Sequence, residues 1–199
     1  MSIFRILKSY FPKIKSSEQN SLKELSASNH TFWKFTQSEP GRSYETNVFA
    51  EYKENEITRA KNPDKWLSFT TEEYITKCFM YGDQLTKLCF SQDNPKFLGI
   101  QNNKYKTIGS ALGELETDSL LVEKIYSLKH KETIQLLVSM IPDNEKISQL
   151  IWFTNIGGKT FEDRLHEYGF KKSANLLGKI KLMETKKEVL NFLDSSDDF

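Results

Sequence analysis

The feature that most constrains the fold is a series of short apolar stripes at helical spacing in the last third of the chain. A residue able to cap a helix precedes most of these stripes. Thr160 begins one segment, and Asp163 completes its capping box. Gly169 stands where the helix is expected to end in a residue with left-handed backbone conformation. Short helices joined by tight turns predict antiparallel helical hairpins over residues 117–199.

Two further stripes in this region carry specific predictions. Thr117 and Asp118 are typical of helix starts, and Leu121, Ile125 and Leu128 follow at helical spacing, so a helix is predicted from these residues through Leu128. Leu137 lies in the middle of the next stripe, before Pro142, and is expected to be buried in the core.

The middle of the chain groups aromatic and β-branched residues between turn signals, a pattern that favours strands. Pro40-Gly41 is expected to join two strands of a hairpin, whereas Thr70 with Glu73 predicts a helix that weakens at Gly82. The predicted strands lie at Phe32–Phe35, Tyr44–Tyr52, Leu85–Phe90 and Tyr105–Leu112.

The first residues are basic and amphipathic. Apolar side chains share one face of a short helix that Pro12 ends, and the charged residues of this stretch are Arg5, Lys8, Lys13 and Lys15. We expect the apolar face to pack onto the domain; weak contact with an anionic membrane surface is the alternative. Ser16 and Gln19 resemble a capping box and predict a second helix over about Ser17–Leu25.

These patterns together predict an α+β protein. N-terminal helices occupy residues 1–28, a small antiparallel sheet lies within 29–116, and antiparallel helical hairpins with a short acidic tail occupy 117–199.

Charge and hydropathy exclude several classes of function. The 28 basic residues balance 27 acidic ones, and only four of the basic residues are arginines, so nucleic acid is not an expected partner. The sequence shows no apolar run long enough to span a bilayer and no signal peptide, so we expect a cytoplasmic protein without integral membrane insertion. Cys78 and Cys89 are expected to be reduced and buried.

One resemblance rests on Gly158-Lys159-Thr160 and on the segment Glu167–Leu177, with its glycine at the turn and its paired leucines. These residues resemble one ankyrin repeat, and Leu120–Val138 resembles a second, poorer copy. The two copies lie about 40 residues apart rather than the usual 33, and Phe161-Glu162-Asp163 stands in place of the family's Pro-Leu-His signature. The resemblance implies helical hairpins that bind another protein.

A rival resemblance uses the same part of the chain. The order Leu120–Leu128, a helix, Leu150–Asn155, a helix ending at Phe170 and a strand to Met183 is similar to the end of the GNAT-like N-acyltransferase fold that uses acyl-CoA. That family holds the cofactor's pyrophosphate with a glycine-containing loop. This chain has no glycine at the matching place, Lys129–Thr133, so the resemblance implies an atypical or lost cofactor loop.

Three groups of residues are candidates for chemical sites. Gly157–Thr160 ends like a phosphate-binding loop, but the motif's first glycine is replaced by Phe153, which favours a plain turn before a helix. Glu162, Asp163 and His166 share one helical face, which suits a metal but more often forms a solvated surface. Cys78 could pair with a histidine as a nucleophile, although its apolar neighbours favour a structural role.

We therefore predict a non-enzymatic protein-binding module without cofactor, metal or catalytic residues. A toxin-neutralising immunity protein and a secreted adaptor are the two interpretations of such a module, and an N-acyltransferase-like enzyme is the alternative class. The predicted protein-binding residues are Trp66, His130, Lys159, Glu162 and His166.

Overall fold

The computed structural model describes residues 20–38, 50–61, 66–76, 82–107, 113–143, 147 and 160–196. The strands within these residues are β1 Asn20–Ser21, β2 Phe32–Thr36, β3 Ile57–Arg59, β4 Leu67–Thr71, β5 Gln84–Leu88, β6 Lys104–Thr107, β7 Leu115–Thr117 and β8 Ser119–Ser127. The helices are α1 Leu22–Ser26, α2 Glu72–Ile75, α3 Pro95–Leu98, α4 Lys131–Ser139, α5 Phe161–Glu167, α6 Lys171–Ile180 and α7 Lys186–Ser195. No helix among them has the length and apolar character needed to cross a membrane.

An eight-stranded antiparallel sheet organises the fold, in the order β1-β6-β7-β4-β2-β5-β8-β3. The predicted fold class, with N-terminal helices, a small sheet and a helical last third, is therefore wrong. The sheet takes strands from Asn20 to Ser127, so it extends into both regions that the sequence assigned to helices. The proposed domain boundaries remain a prediction.

The helix predicted to begin at Thr117 and Asp118 and to run through Leu128 is the main source of that error, because Ser119–Ser127 forms β8. Leu120, Leu121 and Val122 are all buried, as expected for a strand covered on both faces, and β5 and β3 pair with its two sides. Asp118 does not cap a helix: its carbonyl oxygen accepts the Ala60 N–H at 2.9 Å in the link between β7 and β8. The helical spacing of Leu121, Ile125 and Leu128 is thus a coincidence.

Apolar residues on opposite faces of the strands belong to two cores. Phe35 of β2 lies opposite Leu85 of β5 in a core completed by α4, α5, α6 and α7. Phe32 lies opposite Leu88 in a second core that includes α1 and α3. Because successive side chains of a strand point to opposite faces, β2 contributes to both cores and is buried on both sides.

The helices after β8 agree with several local predictions. Leu137 is 1% exposed in α4. Thr160 caps α5 through a capping box with Asp163, and Gly169 has a φ of +79° at the turn between α5 and α6. The acyltransferase resemblance implied a strand reaching Met183, whereas Lys171–Ile180 is helical.

Elements earlier in the chain are shorter than predicted. The helix expected at about Ser17–Leu25 is α1, which starts at Leu22 because the Ser21 N–H bonds Oε1 of Glu24 at 3.1 Å and the preceding residue joins β1. Thr70 belongs to β4, so the residue that precedes α2 is Thr71, one residue after the predicted cap. The helix predicted before Pro12, the turn at Pro40-Gly41 and Cys78 lie outside the described residues.

Candidate functional site

The structure separates the predicted binding residues. Trp66 is half-buried before β4, and Lys106 Nζ of β6 lies 4.9 Å from the centroid of its ring. His130 is exposed at the residue before α4. Lys159 lies outside the described residues. Glu162 and His166 lie together on one face of α5, so these two remain as the centre of a candidate surface.

Glu162 makes the principal contact of that surface. Its Oε2 accepts a hydrogen bond from Nζ of Lys181, the residue that follows α6, at 2.7 Å. Leu182 comes next in the chain and is 81% exposed. We call the group formed by Glu162, Asp163, His166, Lys181 and Leu182 the α5–α6 surface.

The first turn of α5 is ordered by reciprocal hydrogen bonds. The backbone N–H and Oγ1 of Thr160 donate to Oδ2 of Asp163 at 2.8 and 2.7 Å, and the Asp163 N–H donates to Oγ1 of Thr160 at 3.1 Å. The Thr160 hydroxyl and then its backbone N–H lower the pKa of the Asp163 carboxyl, and the charges of His166 and Lys181 act in the same direction. Asp163 is therefore held ionised at the start of the surface.

A buried arginine fixes the opposite side of α5. Arg164 is 9% exposed and lies beside the Tyr168 hydroxyl, one turn further along the helix. Burial raises the pKa of Tyr168, and the nearby negative charge of Asp83 adds to that rise, while Arg164 opposes it. Asp83, just before β5, also accepts the Ser38 N–H at 2.7 Å. Phe161 and Leu165 of α5 are buried in the same core as Leu85 of β5, so α5 packs against the sheet and its outer face is a fixed surface.

Leu182 departs from the burial expected of a leucine. It and Leu98 are the large apolar side chains that are exposed among the described residues, and Leu98 is exposed by only 45%. Leu177 and Ile180 of α6 enter the core, but Leu182 follows two residues later and falls off that stripe. Lys181 and Leu182 are not among the binding residues predicted from the sequence, although this break in periodicity could have indicated them.

The acidic and histidine side chains do not form a metal centre in the described part of the chain, where no group of three or more His, Cys, Asp or Glu residues is suitably arranged. The Thr160 hydroxyl, which a phosphate-binding loop would direct at a magnesium ion, is engaged by Asp163 instead. The remaining glycines and lysine of that motif lie outside the described residues.

The chain matches no protein-family model, no curated protein and no solved structure.

Proposed function

We propose that the chain is a non-enzymatic protein-binding module that uses the α5–α6 surface. The observation that carries this proposal is the 81% exposure of Leu182 beside the Lys181–Glu162 ion pair. Leaving a leucine in water forgoes about 1.5–3 kcal/mol that burial would provide. Binding of a partner would recover this free energy, and the neighbouring charged groups would orient that partner.

The partner that fits this surface has an apolar pocket for Leu182 and polar groups around the pocket. The partner's rim would face both a cation, Lys181, and the anions Glu162 and Asp163. A mixed rim of this kind supports recognition of a folded protein, because such an interface pairs apolar contact at its centre with charged contacts at its edge.

Affinity capture from cells of the native host tests the proposal. The baits are the wild type, Leu182→Asp and, as a matched control, Leu98→Asp, which places the same charge on the other exposed leucine. A protein retained by the wild type and by Leu98→Asp but lost with Leu182→Asp would support the proposal. Equal retention of every captured protein by all three baits would contradict it.

Co-expression with the captured partner distinguishes the two proposed roles, a toxin-neutralising immunity protein and a secreted adaptor. A toxin-neutralising immunity protein restores growth of cells that express a toxic partner, and Leu182→Asp abolishes that rescue. A partner that is harmless when expressed alone favours the adaptor. Thermal unfolding with acetyl-CoA tests the alternative, an N-acyltransferase-like enzyme. A ligand that binds the native state raises the Tm, and we expect no shift at millimolar acetyl-CoA.

A further inference from the structure

The outer side of β8 is only partly covered by its neighbouring strand. β3 pairs with residues 119–121 of β8, and the ladder ends at Val122, whose N–H donates to Glu56 at 3.1 Å and whose carbonyl accepts from Asn55 at 2.9 Å. On the inner side, β5 pairs with β8 as far as Ser127. The described strands therefore leave the outer side of residues 124–127 as a sheet edge.

A side chain takes the place of the missing strand at this edge. The Ile125 N–H donates to Oε1 of Glu54 at 2.8 Å. Asn55 has a φ of +60°, and the Glu56 N–H donates to the Lys53 carbonyl at 3.1 Å, so the chain turns at Glu54 instead of continuing the ladder. The carboxylate thus supplies the acceptor that a carbonyl group of a continuing strand would otherwise provide.

We propose that Glu54 closes this edge of β8 against a second copy of the chain. An antiparallel pair with its twofold axis at Ile125 would exchange two hydrogen bonds between the Ile125 residues of the two copies. In that register Lys124 opposes Tyr126 of the other copy and Glu123 opposes Ser127, so no like charges meet. Within one chain, Lys124 Nζ already lies 5.1 Å from the Tyr126 ring centroid, which shows that the two groups are compatible neighbours.

A local irregularity supports the same interpretation. The register of β5 and β8 shifts between Lys87 and Leu88, which face Lys124 and Val122. Such a bulge increases the local twist, and natural sheets use bulges and edge charges to prevent pairing between molecules. The bulge lies at the start of the open stretch, and Glu54 binds Ile125 within it, so two features that hinder strand pairing act on the same edge.

Glu54→Ala and Glu54→Gln test whether the hydrogen bond between Glu54 and the Ile125 N–H prevents pairing, as opposed to the mere presence of a charge at this position. Glutamine keeps an amide oxygen that can accept the Ile125 N–H, whereas alanine removes the acceptor. We expect the wild type and Glu54→Gln to sediment as monomers of 23.2 kDa. We expect Glu54→Ala to sediment as a dimer, with twice that mass, at high micromolar concentration. Thermal unfolding confirms that each variant is folded, and Glu54→Ser replaces Glu54→Ala if the latter is not.

Cysteine cross-linking identifies the surface used. The Cα atoms of a hydrogen-bonded antiparallel pair lie about 5.5 Å apart, within the range of a disulfide. Glu54→Ala/Ile125→Cys should form a disulfide-linked dimer on mild oxidation, whereas Glu54→Ala and Glu54→Ala/Lys129→Cys should not.

Three results would overturn the proposal. The first is a folded Glu54→Ala or Glu54→Ser that stays monomeric. The second is a wild type that is already dimeric. The third is a Glu54→Ala dimer in which the Ile125→Cys substitution cross-links no more readily than the Lys129→Cys substitution.

Discussion

Lys181 Nζ lies 2.7 Å from Oε2 of Glu162, so the residue after α6 is tied to the first turn of α5. The same glutamate covers a glycine of α6: a Cβ built on Gly178 would lie 2.9 Å from Glu162 Oε1. The ion pair and the close approach together set how far α5 lies from the end of α6.

This arrangement predicts that the effect of Gly178→Ala depends on Glu162. Alanine stabilises a helix interior by about 0.5–1 kcal/mol relative to glycine, but here the new methyl group displaces the carboxylate of Glu162. We expect little change in the free energy of unfolding in the wild type and the full gain in a Glu162→Ala background. A double-mutant cycle by urea denaturation measures the difference. Equal gains in both backgrounds would contradict the packing described.

The buried position of Leu137 predicts a large loss of stability on truncation. Leu137→Ala removes a side chain that is 1% exposed in the core around α4, and should cost about 2–5 kcal/mol. Leu182→Ala is the matched control, because that side chain is 81% exposed and its loss should have little effect. Chemical denaturation of both variants tests the assignment of α4 to the core, and similar costs for the two would refute it.

Gly169 predicts a purely conformational cost. Its φ is +79°, and a Cβ built on it would have no neighbour within 4 Å, so a substitution strains the backbone without a steric clash. Gly169→Val should destabilise the protein by at least about 1 kcal/mol, and Gly169→Asn should cost less because asparagine tolerates this region. Thermal or urea unfolding ranks the variants. Equal stability of the valine and asparagine variants would argue against a left-handed residue at this turn.

The capping box of α5 predicts a contribution to acid sensitivity. The pKa of Asp163 lies below its ordinary value of 3.8, chiefly because Thr160 donates to the carboxylate. A group with a lowered folded-state pKa stabilises the protein above the ordinary pKa and loses that contribution as the pH falls through the folded value. The free energy of unfolding of the wild type should therefore fall more steeply below pH 3.8 than that of Asp163→Asn. Parallel pH profiles for the two proteins would contradict this role.

Local signals in the sequence were more informative than the overall pattern. Capping at Thr160 and the helix end at Gly169 could be predicted because neighbouring residues determine them. β8 could not, because its partners β5 and β3 are distant in the chain, and the spacing of Leu121, Ile125 and Leu128 fits a helix stripe although the segment is a strand. The same limit applies to the site: Glu162 was predicted from its own helix, whereas its contact with Lys181 depends on how α6 packs.

The most direct test of the central claim is a binding titration with the partner identified by affinity capture. The wild type, Leu182→Asp and Leu98→Asp are compared at equal concentration by calorimetry, after circular dichroism confirms that all three are folded. If Leu182 anchors the α5–α6 surface in the partner, Leu182→Asp should raise the Kd by at least about tenfold, equivalent to about 1.4 kcal/mol, while Leu98→Asp leaves it unchanged. A Leu182→Asp variant that binds as tightly as the wild type would contradict the proposed protein-binding surface.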